Sequence, residues 1–163
     1  MVFCGGSAQA VGGTTSAAIG VVWGNPEKEW GECDYLEYFV HELTHTLMFL
    51  DELRFLHYKN QDAMRDGENF SLSAILQVER PLDRVLHSIV VATEVLLLRK
   101  RNLVNHSQCQ IHPSTDHLVE STQRSIERLR SHPSRHYILT SRAWDIVEMC
   151  RSSLSQNFAF APL

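Results

Sequence analysis

The chain has 163 residues, 44% of them apolar and 21% charged, and a formal charge of −4 at neutral pH. That is enough for one compact domain with a sizeable core and too little for two. The acidic balance excludes a basic field for nucleic acid or for an anionic membrane surface, and no apolar run is long enough to span a bilayer.

Residues 1–17 read as a flexible arm, glycine-rich and aperiodic over 5–17, "GGSAQAVGGTTSA". It has neither a Walker lysine nor a GxGxxG, so it is not read as a phosphate-cradling loop. Cys4, Cys33, Cys109 and Cys150 are far apart with no CxxC pair, which predicts free thiols in a reducing compartment. With no signal-peptide pattern at the start, the chain reads as cytoplasmic. The segment 18–23, "AIGVVW", predicts the one clear strand, ended by "GNPE". A lone strand reads as a sheet edge or as part of a sheet whose other strands come from outside this segment; on the second reading the start at Met1 is expected to be a cut in a longer protein.

Helices are predicted from there on. Asp34 followed by Glu37 resembles a capping box opening a helix that runs to about Leu56. The connection 58–79 is polar and then holds a short helix-like stretch, "FSLSAIL". Pro81 stands at a first-turn position of a second long helix, "PLDRVLHSIVVATEVLLLRKRN", whose Arg99-Lys100-Arg101 run complements the helix C-terminus. A third helix starts at Pro113–Ser114 and stops before Pro133. A fourth is capped by Thr140 and runs to about Ser152, leaving residues 153–163 as a frayed tail. There is no internal repeat and no heptad. The expected fold is α+β and mostly helical: a short N-terminal strand on a core of two long buried helices, in a single metal-binding domain over 1–163.

The chemistry concentrates in "EYFVHELTHTLMFLDE". Residues four apart stack on one helix face, so His41 and His45 can aim both rings at one transition-metal ion. Glu42 lies one position round, within reach of a metal-bound water, which is the HExxH arrangement of zinc proteases. The apolar flanks predict a helix buried nearly all round, where three polar side chains need a cation or a hydrogen-bonded cluster to satisfy them. The second helix offers the third ligand, because Arg80, Arg84, His87 and Glu94 form a polar stripe along an apolar rod. His87 is the choice, with Glu94 second and His57 open, whereas Glu52 is about two turns beyond His45 and too far for the same ion. The HExxHxxGxxH and inverted protease patterns are absent.

The order "GVVW", "EYFVHELTH", "RPLDRVLHSIVVATEVLLL" and "LTSRAWDIV" resembles the HExxH-containing peptide-modification proteins found beside gene clusters for ribosomally made, modified peptides. These are regarded as iron(II)- and 2-oxoglutarate-dependent peptide β-hydroxylases. The likeness spans about residues 16–152, with HExxH and "RPLxxxLH" as its specific parts. It implies a metal on His41, His45 and His87, and matches Arg80 to the arginine of "RPL". A guanidinium can hold the remote carboxylate of 2-oxoglutarate by two bonds; Arg80 or Arg84 suits that, unless each is paired with Glu79 or Asp83. The expected function is hydroxylation of a peptide side chain. A zinc metallopeptidase with Glu42 as general base is the alternative, and a non-enzymatic helical module with a structural metal is the third reading. His106, Cys109 and His112 in "HSQCQIH" carry zinc-ligand types without a fourth partner, and with His117, His132 and His136 they read as solvated loop or polar-helix residues.

Overall fold

A computed structural model describes residues 2–4, 12–101 and 106–158. The fold is α+β and mostly helical, as expected. Strands β1 (Val2–Cys4), β2 (Gly12–Thr14) and β3 (Val22–Gly24) form one small sheet in the order β1-β3-β2, with β1 parallel and β2 antiparallel to β3. The partners of the predicted strand therefore come from the arm itself, whose residues 5–11 lie outside the described residues. The strand is also shorter than 18–23. Thr15 caps a 3₁₀ turn over Ser16–Ala18 by accepting from Ala17 N–H, and Gly20 turns the chain at φ +86°.

Helix α1 (Glu32–Arg54) starts at Gly31 rather than at Asp34. Asp34 sits in the third helical position and accepts from the Gly31 N–H at 3.0 Å, so the acid of the cap is Asp34 itself. The small sheet lies against this end of the helix. Tyr38 donates its hydroxyl to the Trp23 carbonyl, and a Cβ on Gly24 would come within 3.1 Å of that hydroxyl oxygen. After α1 come the short α2 (Gln61–Arg65) and the hairpin β4 (Ser71–Leu72) with β5 (Glu79–Arg80). "FSLSAIL" is thus a strand and a turn rather than a helix: Gln77 adopts φ +54°, and its side-chain amide bonds the Ser73 and Ala74 carbonyls to hold the bend.

Helix α3 (Leu82–Lys100) is the centre of the molecule and contacts α1, α4 (Thr115–Ser131) and α6 (Ser141–Asn157). Leu82, Val85, Leu86, Ile89, Ala92, Val95 and Leu96 are fully buried and join Leu118, Ile126 and Leu129 of α4 and Val147 and Leu154 of α6 in one core. The single-turn helix α5 (Arg135–Ile138) closes the connection between α4 and α6. Thr140 caps α6 through Ala143 N–H, as the sequence indicated, but the helix continues to Asn157, so residues 153–157 of the predicted tail are helical; residues 159–163 lie outside the described residues. Among the described residues no helix is long and apolar enough to cross a membrane.

Two expectations fail on α1 and α3. The first helix is not buried all round: Phe39, Leu43, Leu47 and Leu50 are exposed along one face, Leu47 at 56%. What α1 buries includes Asp34, Glu37, Glu42, Thr44 and Thr46. The basic run at the end of α3 does not simply cap it either, because Arg99 is turned inward and buried.

Candidate metal centre

The inward stripe of α1 carries Asp34, Glu37, His41, His45 and Glu52 at spacings of three, four, four and seven, one face of a helix. His41 and His45 meet through their Nε2 atoms, 3.2 Å apart. Each ring's other nitrogen is held by a second imidazole. His41 Nδ1 faces His112 Nε2 at 2.9 Å, and His112 Nδ1 faces Glu37 Oε2 at 2.9 Å. His45 Nδ1 faces His87 Nδ1 at 2.9 Å, and His87 Nε2 faces Glu52 Oε1 at 3.0 Å. Four imidazoles thus form a line with a carboxylate at each end.

The carboxylates fix the protons. Ionised Glu37 and Glu52 only accept, so His112 donates from Nδ1 and His87 from Nε2. With the rings neutral, each then accepts on its remaining nitrogen, which makes Nδ1 of both His41 and His45 the donor. The two Nε2 lone pairs are left facing each other. A proton could bridge them only by charging a ring. Burial, reinforced by neighbouring His112 and His45, holds His41 well below its usual pKa. Burial, then His87, Arg84 and Arg80, pulls His45 down to about 4. Two neutral imidazole nitrogens sharing one ion at ~2.0–2.1 Å stand about 3.0–3.4 Å apart, and the observed separation falls in that interval.

The terminal carboxylates are strongly held. Burial pushes Glu37 up, but hydrogen bonds from His112 and Arg99 outweigh it and bring its pKa to about 2. Arg99 grips Glu37 with Nε at 2.7 Å and Nη2 at 2.9 Å and donates Nη1 to the Pro113 carbonyl at 2.7 Å. Glu52 likewise falls to about 2, its burial outweighed by the facing imidazoles of His57 and His87. Glu42 is different. It is buried, its Oε2 has no hydrogen-bond partner, and burial raises its pKa to about 7.

The predicted residues therefore separate. His41 and His45 converge. His87 reaches the cluster but stands behind His45, on the ring nitrogen turned away from His41. Among the described residues, the sets of three or more ligand atoms lying within 4.8 Å of one another include neither His41 nor His45. The residues present thus fit an ion through two nitrogens and do not gather a third protein donor at the same point. Glu94 is exposed, in a groove between α1, α3 and α6 lined by Leu43, Leu47 and Ile146, and takes no part. His57 is buried but bonds Asp51 at 2.6 Å, and Arg142 holds the same carboxylate. Arg84, its guanidinium 3.8 Å from Asp83, lines a cleft of about 270 Å³ with Arg65, Thr15, Ser16, Glu52 and His87. Arg80 is half-buried in β5 and is not among the residues lining that cleft.

Sequence reasoning missed Glu37, Glu52 and His112 as members of the cluster. The two acids were legible in the stripe of α1. His112 was not, because it arrives from the loop between α3 and α4 and, far from being solvated, is buried against Glu37. Family models, curated proteins and solved structures give no match to this chain.

Proposed function

We propose that the protein is a metal-dependent enzyme that holds iron(II) on Nε2 of His41 and His45 and uses 2-oxoglutarate to hydroxylate a peptide side chain. The observation that supports this reading is the pair of facing Nε2 lone pairs, each imposed by an imidazole and a carboxylate behind it. Such outer partners fix the tautomer and orientation of ligating histidines: His112 with Glu37 does so for His41, and His87 with Glu52 for His45. When bound, iron(II) would activate dioxygen, the oxidant, with one oxygen atom going into the C–H bond and the other into succinate as 2-oxoglutarate loses CO2. The chain's own part is to hold and orient. The guanidiniums of Arg84 and Arg65, with the hydroxyls of Thr15 and Ser16, give the cleft beside His87 the donors that a carboxylate needs. Anaerobic addition of iron(II) and 2-oxoglutarate is expected to give a weak visible charge-transfer band, lost in His41→Ala. Absence of the band in a protein that binds zinc tightly and cleaves peptides overturns this reading.

One observation favours a second chemistry. Glu42, with a pKa near 7 and no partner on Oε2, is poised as a general base, since a base works best when its pKa lies near the working pH. In a zinc peptidase Glu42 would take the proton of the attacking water. Glu42→Gln is then expected to keep the metal and lower hydrolysis about 10²–10⁴-fold. In the oxygenase the same change leaves hydroxylation within a few-fold.

A further inference from the structure

The loop between α3 and α4 brings a second group of metal-ligating side chains to α1. Residues His106–Gln108 form a 3₁₀ turn closed by the Cys109 N–H on the His106 carbonyl at 3.2 Å. At three residues per turn, side chains at i and i+3 eclipse, and Cys109 Sγ stands 3.8 Å from His106 Nδ1. Both face the first turns of α1. There Glu37 Oε1 lies 3.1 Å from His106 Nδ1, and ligand atoms of Glu37, His106 and Cys109 all lie within 4.8 Å of one another. Cys33, one turn before Glu37 on the same face, forms a second set of that kind with Asp34 and the same Cys109. Cys109 is common to both sets, and among the described residues no set joins Cys33 to Glu37 and His106, so Cys109 Sγ is the point at which the two would meet.

The surroundings are buried and rich in acid. Cys33 is 6% exposed, Asp34 and Glu37 are not exposed at all, and the His106 imidazole, which turns Nδ1 to Glu37 and Cys109, is 9% exposed. Asp34 and Glu37 bring two formal negative charges into the interior, and Arg99 brings one positive charge to Glu37. Two thiols, an imidazole and a carboxylate are the donors of a tetrahedral zinc site. At ordinary zinc bond lengths the edges of such a tetrahedron are about 3.3–3.8 Å. The His106–Cys109 separation matches that range, and the His106–Glu37 separation falls just short of it.

We propose that Glu37, His106 and Cys109, with Cys33 drawn in beside Cys109 as the fourth donor, form a binding site for one divalent thiophilic metal of the zinc class, separate from the His41–His45 pair. All four positions are protein donors, so the site is structural. It pins the loop to α1 at His106 and Cys109, three residues before His112 enters the cluster against His41. Asp34 ties the same loop at a second point, accepting from Gln110 N–H at 2.6 Å and Ile111 N–H at 3.1 Å. The proposal does not depend on what chemistry the histidine pair performs.

The test removes the pair first. A His41→Ala/His45→Ala double variant is expected to retain one tightly held zinc per chain on elemental analysis. After exchange for cobalt(II) it is expected to show an intense thiolate-to-metal band in the near ultraviolet. Cys33→Ser and Cys109→Ser should each abolish that band, and Cys150→Ser should leave it unchanged. A variant that fails to fold also loses the band, so the native protein supplies an independent reading: a mercurial reagent should release zinc, detected by a chromogenic chelator, in step with thiol modification. Loss of all metal from the double variant, a cobalt spectrum without a thiolate band, or a Cys33–Cys109 disulfide in peptide mass maps overturns the proposal.

Discussion

Helices α1 and α3 lie side by side and solve burial in opposite ways. The face that α3 turns to its neighbours is Leu, Val, Ile and Ala, and these side chains form the core. The face that α1 turns inward is acids, histidines and threonines, while its leucines and Phe39 point outward. Apolar burial is non-directional and tolerates small shifts, whereas a line of imidazoles between carboxylates holds only with each distance and each proton in place. The difference teaches that a run rich in Leu and Phe need not mark the buried side of a helix.

The largest effect that separates the two helices is expected from the Glu37–Arg99 pair, a buried ion pair between them. Glu37→Gln leaves a buried guanidinium without its counter-charge, which costs about 3–5 kcal/mol. Leu96→Ala in α3 is expected to cost about 2–5 kcal/mol through its cavity. Denaturant unfolding of both variants checks this. If Glu37→Gln costs less than 1 kcal/mol, α1 is not held by its acids.

Acid should act next, and selectively on α1. Glu37 and Glu52 have folded pKa values of about 2 against 4.5 when unfolded. Their contribution is full above pH 4.5 and is lost as pH falls toward 2, because below 4.5 the unfolded chain binds protons that the folded one does not. Unfolding free energy measured between pH 6 and pH 2 should fall in the native protein and fall less in Glu37→Gln. The smallest effect belongs to the outer face: Leu43→Gln or Leu47→Gln should change stability by no more than about 0.5 kcal/mol.

Much of the helical layout was legible in the sequence, since Pro81, Ser114 and Thr140 mark starts that owe nothing to distant residues. The convergence of His41 and His45 was legible too, because a four-residue spacing is a local property. Third partners were not. Choosing between His87, Glu94 and His57 needed the crossing of α1 and α3, which buries His87 and leaves Glu94 at an open groove. The roles of His106, Cys109 and His112 depend on where one loop lands on α1, which no periodicity encodes. The short sheet was missed because β2 is Gly-Gly-Thr, where the glycines that make room for Tyr38 and Trp23 also erase the alternation by which strands are recognised.

The polar inner face of α1 also bears on how the chain folds. Helices α3, α4 and α6 can find one another by burying leucines, but α1 offers that collapse little beyond Tyr38, Met48 and a line of charges. Its docking is expected to wait until its acids meet Arg99 and the loop ahead of α4, after the rest is compact. Native-state amide exchange is accordingly expected to open α1 as its own unit, at a lower free energy than the three-helix assembly it covers.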